Sequence, residues 1–156
     1  RDMTQIKIID ALDRKILRAL QQNSEEPIAD LAARLGLSRS ACSRRIARLA
    51  EIGVIERSVA LLSQSKLGLG LTVFIAIKTN QHNAVWSRQF QAVVEQLAGV
   101  LEVHRLGGDI DYLLKAVVPD MPGYDALYQQ LIKADLYDVS ASFVMETMKH
   151  TTELPL

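Results

Sequence analysis

Between Ala33 and Ala50 the chain carries Arg34, Arg39, Arg44, Arg45 and Arg48, interleaved with Ser38, Ser40 and Ser43, and no acidic side chain. Guanidinium groups hold phosphates, and their fork of N–H donors also matches the O6 and N7 acceptors of guanine in the major groove of B-DNA. Serine hydroxyls bond base edges or phosphates. Solvated helix faces normally mix acids with bases, so a run of one sign points to contact with a polyanion. A second stretch, Gly107-Gly108-Asp109-Ile110-Asp111, carries different chemistry. Successive glycine N–H groups can form a nest for a carboxylate, and Asp109 or Asp111 can accept from an ammonium. Two carboxylates in one short turn repel, which a bound cation relieves. The same residues would also make a plain hairpin turn with solvated acids, and taken alone they leave both readings open.

Other chemistry is thin. His82, His104 and His150 are scattered without metal-ligand spacing, and no Ser-His-Asp signature, phosphate loop or zinc pattern is present. We therefore expect no catalytic residues, no metal and no resident cofactor. The single cysteine, Cys42, excludes an intrachain disulfide framework and suits a reducing, cytoplasmic setting; its place on a helical wheel makes it a small buried hydrophobe. No run reaches the roughly 20 apolar residues of a membrane helix. Arg1-Asp2 reads as an extraneous addition ahead of a natural Met3, and no signal peptide is expected before the first helix. The formal net charge is +0, but it is unevenly spread: nine Arg/Lys against six Asp/Glu over 12–60, then seven against ten from Lys66 onward. A basic front and an acidic back imply two domains with different partners.

The elements that must position these residues follow from periodicity. Asp10 and Asp13 can cap a first helix with Leu12, Ile16, Leu17 and Leu20 as its stripe. Pro27 suits the first turn of a second helix carrying Ile28, Leu31, Ala32 and Leu35, and Gly36 ends it. Ser38 then caps a third helix. Two helices joined by a Gly-Leu turn make a helix-turn-helix. On the third helix Cys42, Ile46 and Leu49 point inward, and Ser40, Arg44 and Ala47 point outward, flanked by Ser43 and Arg48. Arg45 falls at the core boundary, a structural place. Gly53 closes this helix, and an extended segment runs from Val54 through Val59, Leu61 and Leu62.

After Gly68 and Gly70 the pattern changes. The spacing predicts strands over 71–78, 100–106, 112–118 and 139–149, with helices over 83–97 and from Met121 through Leu131. Tyr124 and Tyr128, one helical turn apart, are expected in the core. The order β-α-β-β-α-β is the ferredoxin-like split unit, a four-stranded antiparallel sheet with both helices on one face. The fold class is therefore α+β: an N-terminal winged-type helix-turn-helix over 4–55, a linker strand over 56–70, and a ferredoxin-like (ACT-like) sandwich over 71–156. The bare face of that sheet needs cover, and a second copy of the chain is the natural one.

This arrangement resembles the Lrp/AsnC (feast/famine) family of bacterial transcriptional regulators. The resemblance rests on LDRKILRALQ (12–21), LAARLGLSRSACSRRIARLAEIGVI (31–55), LGLG (67–70), GGDIDYLL (107–114) and SASFVMETMKHTTELP (140–155), in that order. The ending is similar to a branch that includes a cysteine-responsive regulator of cysteine detoxification. The resemblance implies sequence-specific binding of double-stranded DNA, homodimers that assemble further into tetramers or octamers, and a nucleoid-associated location. It also implies an amino-acid effector (cysteine, leucine or methionine) that modulates assembly or DNA affinity. Residue by residue, Arg39, Ser40, Ser43, Arg44 and Arg48 match the recognition helix, and Gly107, Gly108, Asp109, Asp111 and Tyr112 match the effector loop. Ser140 and Ser142 are candidate hydroxyl contacts. Two positions depart from the family pattern: Pro27 replaces a hydroxyl cap, and Gly107 replaces a threonine that could bond a carboxylate. Two rival functions share the architecture. One is a siroheme-decarboxylase-like enzyme, for which His104 and Arg105 would serve; the other is a nucleoid-organising protein without an effector.

Overall fold

The computed structural model describes residues 9–156, so the expected addition before Met3 and residues 4–8 of the first domain lie outside the described residues. Two compact units result: one takes the chain up to Leu61 together with Lys149–Leu156, and the other takes Leu62–Met148.

The N-terminal unit contains α1 (Ala11–Gln22), α2 (Ile28–Arg34) and α3 (Arg39–Glu51). Asp10 caps α1 as half of a reciprocal box: its side chain accepts the Asp13 N–H at 2.7 Å, and Asp13 accepts the Asp10 N–H at 3.2 Å. Helix α2 begins at Pro27 with no side-chain cap, the proline ring pre-setting the backbone instead. At its other end Gly36 takes φ 69°, a conformation open to glycine at little cost. That lets the Leu37 N–H reach back to the Ala32 carbonyl at 2.8 Å, a Schellman closure. Ser38 then accepts the Ala41 N–H at 3.1 Å and starts α3. Ile16, Leu17, Leu31, Ala32, Cys42 and Leu49 form the buried centre, with Leu37, Ile46 and Leu156 packed against it.

Leu156 belongs to this cluster because the last eight residues return to α1. Gln21 Nε2 donates to the Leu154 carbonyl at 3.1 Å, and Arg18 donates through both Nε and Nη2 to the Leu156 oxygen. Sequence reasoning had grouped this stretch with the sandwich. The linker expected as a strand forms no ladder; over 54–62 it is irregular, and a single 3-10 turn follows at Ser65–Leu67. An extended chain without a partner strand has nothing to bond.

The second unit holds β1 (Leu71–Lys78), α4 (Ala84–Glu95), β2 (Val100–Arg105), β3 (Tyr112–Val118), α5 (Met121–Leu131) and β4 (Asp138–Phe143). The sheet order is β2-β3-β1-β4, antiparallel throughout. Val73, Ile75, Ile77, Leu114, Ala116 and Val118 project toward Trp86, Phe90, Val94, Leu127 and Leu131 of the two helices. Asn83 caps α4 and Asp120 caps α5. Strand β4 is shorter than its sequence suggests, stopping at Phe143 rather than Lys149. Its partner β1 starts at Leu71, and the last bond is Val144 N–H to the Thr72 carbonyl at 3.0 Å; beyond that no strand remains to pair with. Tyr124 is half-buried and meets Phe143 edge-on, with centroids 5.1 Å apart. Burial and the neighbouring Tyr128 and Asp125 raise its phenol above the ordinary value.

Candidate functional site

The arginine run divides into two populations. Arg45 is engaged: Nη1 donates to Asp10 Oδ2 and to Asp13 Oδ1, both at 2.8 Å. Asp13 is itself buried, 1% exposed. The Asp13 N–H, then the Arg45 guanidinium, hold the Asp10 carboxyl below its ordinary value, and the two carboxylates raise Arg45 in return. Arg34 is engaged too, forked onto Glu26 at 2.7 and 3.2 Å. Arg48 lies between these cases, its Nη1 3.6 Å from Asp13 Oδ2.

Arg39 and Arg44 make no ion pair within the described chain, and both are exposed. Ser40 is exposed beside the cap, its Oγ 3.3 Å from that of Ser38, while Ser43 is half-buried. Arg44 and Arg48 line one groove beside α1, while Arg39 and Ser40 are exposed in the first turn of α3. Cys42 and Leu49, both fully buried, anchor the opposite face. Burial raises the Cys42 thiol above its ordinary value, in keeping with its place in the helix-turn-helix core.

In the second unit the hairpin joining β2 to β3 holds Gly107, Gly108, Asp109 and Asp111. Gly108 has φ 144°, while a side chain added at Gly107 would meet nothing within 4 Å. The two acids differ. Asp111 builds the loop: its N–H donates to the Ile77 carbonyl at 2.9 Å, its carbonyl accepts from Leu106 at 2.8 Å, and Oδ2 accepts the Thr79 N–H at 2.8 Å. Asp109 is exposed and makes no such contact within the described chain. Tyr112 turns into an aromatic group, 4.7 Å from Phe90 and 5.8 Å from Trp86 between centroids. Ser140 and Ser142 stand on the open face of β4, opposite Ala76 and Phe74. Strand β1 lies between β4 and β3, so these serines are not gathered at the loop.

Helix α4 and edge strand β2 also enclose an open groove of about 610 Å³, with Phe90, Val94, Glu95, Leu101, Arg105 and Tyr112 among its walls. Sequence reasoning did not find it. Its residues come from three elements, and their exposed members look like ordinary surface positions.

Comparison with known proteins matches these two units separately. An AsnC-type helix-turn-helix domain is matched over residues 9–50, and the Lrp/AsnC ligand binding domain over residues 72–154. The chain belongs to the Lrp/AsnC family. It is a DNA-binding transcriptional regulator of the Lrp/AsnC type. It is 46% identical to the HTH-type transcriptional regulator Zrp of Zymomonas mobilis, over 95% of this chain and 97% of that protein. The crystal structure of an AsnC family transcriptional regulator from Agrobacterium tumefaciens superposes with a TM-score of 0.90 at 49% identity, covering 94% of this chain and 97% of that one. A transcriptional regulator of Neisseria meningitidis, solved as an L-methionine complex, gives 0.88 at 34% identity, with 94% and 96% covered.

Within the Lrp/AsnC frame the helix-turn-helix match closes at Ala50, one residue before the end of α3. The ligand-domain match takes in the 107–111 loop and the α4–β2 groove. Among the described residues no group of three or more metal-type side chains comes together. No helix among them is long and apolar enough to cross a membrane. His104 and Arg105, the pair an enzymatic reading would use, are exposed on β2, and His104 Nε2 lies 2.9 Å from Glu102 Oε2. The feature that sequence reasoning missed in the first unit is Asp13. In sequence it reads as a cap alone; in the structure it is an ion-pair hub that ties α1 to Arg45 of α3.

Proposed function

We propose that this regulator reads duplex DNA with the outward face of α3, Arg44 bonding a base while Arg39 and Arg48 hold the phosphate backbone. Ser40 and Ser43 are the accessory hydroxyls. The carrying observation is the division among the arginines: Arg39 and Arg44 project from a serine-capped helix with no internal carboxylate, whereas Arg34 and Arg45 are answered within the chain. A homodimer would present two such helices to half-sites about one helical turn apart, with higher assembly to a tetramer or octamer. The bare sheet face around Phe74 is the surface a second copy would cover. The working location is the cytoplasmic nucleoid, and the role is regulatory rather than enzymatic.

The effector in this proposal is a small α-amino acid taken at the β2–β3 loop. The N–H groups of Gly107 and Gly108 receive the carboxylate, and Asp109 accepts from the ammonium. The relative solved with L-methionine supports an amino acid as the class, and cysteine and leucine remain in the same set. Asp111 and Tyr112 are assigned to shaping the loop and its groove wall, since their polar and aromatic surfaces already have partners. Ser140 and Ser142 lie outside this ligand set unless a second copy brings them to it.

Fluorescence anisotropy on the DNA upstream of the regulator's own gene, beside a scrambled duplex, tests both halves. The expected result is salt-steep binding that prefers the native duplex and shifts with one amino acid. Arg44→Ala should cost about 1–3 kcal/mol on the native duplex and relax specificity at one position. Equal weakening on both duplexes would remove its base-reading role. Asp109→Ala should keep DNA binding and lose the amino-acid response; a normal response in that variant would defeat the assignment. Broad DNA binding with no amino-acid response in the unaltered protein would favour the effector-free nucleoid reading.

A further inference from the structure

Asp13 does more than cap α1. Its carboxylate is 2% exposed, and its two oxygens face different arginines of α3: Oδ1 accepts from Arg45 Nη1 at 2.8 Å, and Oδ2 lies 3.6 Å from Arg48 Nη1. Asp10 Oδ2 takes Arg45 Nη1 from the other side at 2.8 Å. These four side chains line one shallow groove together with Arg44. The side chains of Arg45 and Arg48 are only partly covered, 33% and 44% exposed. They sit next to the surface offered to DNA, but only Arg45 is held by the acids at hydrogen-bond distance.

From this we infer that Asp13 is a specificity-determining positioning residue: together with Asp10 it holds Arg45 off the DNA, limiting how many cations of α3 can bind phosphates irrespective of sequence. The inference rests on the proposal that α3 reads DNA. The physical reason is that affinity for random duplex comes from Lys and Arg neutralising phosphates and releasing counterions. Such contacts position a protein on DNA but carry no sequence information. An arginine whose charge is already matched by carboxylates at 2.8 Å contributes little to that term. One freed from its carboxylate adds to affinity for every sequence alike and so lowers the ratio of specific to random binding.

The test is the salt dependence of binding in the full-length protein. Asp13→Asn is near-isosteric; its amide oxygen can still accept the Asp10 N–H, while the negative charge is lost. Because Asp10 still holds Arg45 at 2.8 Å, Asp13→Asn should release it in part and steepen the log-affinity against log-salt slope on a random duplex by up to about 0.9, the value for one arginine fully released to a phosphate. That is an affinity loss about 3- to 4-fold larger per arginine between 50 and 200 mM salt. At low salt the random duplex should be bound more tightly and the preference for the native duplex should fall. Adding Arg45→Gln to Asp13→Asn should return the slope to that of the unaltered protein.

A merely structural role predicts something else: weaker binding to both duplexes with the slope unchanged. That result, or an Asp13→Asn protein indistinguishable from the unaltered one, overturns the inference. If thermal melting shows that Asp13→Asn does not fold, Asp10→Asn replaces it, because Asp10 is exposed and is one of the two carboxylates on Arg45. It should steepen the slope in the same direction by a smaller amount, and an unchanged slope there also overturns the inference. Failure of the unaltered protein to bind either duplex would instead defeat the DNA-reading proposal itself.

Discussion

The two units of this regulator solve the same problem in opposite ways. In the sandwich, stability and candidate chemistry are separated: twelve buried residues hold the helices on one sheet face, and the proposed ligand loop hangs from the ends of the strands. In the helix-turn-helix unit they are merged. Its buried set is seven residues, and Asp13, the one acid among the buried residues of α1, is bonded to the helix that carries the proposed recognition arginines. A small domain buries too little apolar surface to be generous with its polar groups, so one carboxylate both closes a cap and orients a helix. The lesson is that a substitution in the sandwich can break the fold or the site, but in the front unit a single substitution reaches both.

The largest effect that can break this comparison is a core deletion on each side. Ile75→Ala and Leu49→Ala each remove a fully buried side chain and should cost about 2–5 kcal/mol. The chain's single tryptophan, Trp86, lies in the sandwich, its indole N–H bonded to the Ala134 carbonyl at 2.9 Å. Its fluorescence therefore reports that unit, while far-UV circular dichroism reports all helices. Ile75→Ala should lower the fluorescence transition, and Leu49→Ala should lower the dichroism transition while leaving fluorescence in place. Joint movement of both signals in both variants would show that the units melt as one.

Next in size are the caps. Ser38→Ala removes the acceptor for the Ala41 N–H and should cost about 0.5–2 kcal/mol. Because α3 is the proposed reading helix, DNA affinity should fall with it. Asn83→Ala makes the matching change in α4, with a similar expected loss of stability and no effect on DNA at temperatures where both units stay folded. A DNA defect in Asn83→Ala would erase the distinction between merged and separated units.

Acid should tell the units apart more gently. The Asp13 N–H and Arg45 hold Asp10 below its ordinary carboxylate value. A depressed acid contributes stability that is present above its unfolded value near 3.8 and is lost as pH falls through the folded value. Acid titration below about pH 4 should thus loosen the α1 cap and its tie to α3. Asp10→Asn should flatten that part of the dichroism titration. An unaltered acid limb in that variant would place the sensitivity elsewhere, for instance at Glu102, which His104 and Lys115 also hold low.

How much of this could be read from the sequence differs between the units for the same reason. Strands β1 and β3 matched their expected spans because both are central, with β-branched residues paired on two sides. β4 was overextended because its end is set by where β1 starts, a fact of pairing rather than composition. The helix-turn-helix was legible since Gly36 and Ser38 act locally. The hub at Asp13 was not, because it needs Arg45, which is 32 residues away. The acids of the loop looked alike in sequence; only the Thr79 N–H, contributed by the end of β1, makes Asp111 a builder and leaves Asp109 exposed. The return of Leu154 and Leu156 to α1 was also hidden, since two leucines beside a proline carry no address.

The smallest expected effect on stability is also the sharpest probe of the loop. Gly107 occupies a position where the family pattern has threonine, yet its backbone has no positive φ and a Cβ there meets open space. Gly107→Thr should fold with no measurable loss and raise no clash, whereas Gly108→Thr should be strained by its φ of 144°. If the nest at 107–108 receives the effector carboxylate, the added hydroxyl is an extra donor beside it, and amino-acid affinity or preference should change while DNA binding without amino acid stays constant. Isothermal titration with cysteine, leucine and methionine would measure this. Identical titrations for Gly107→Thr and the unaltered protein would move the effector away from the loop, and the α4–β2 groove walled by Arg105 and Glu95 would be the next place to test.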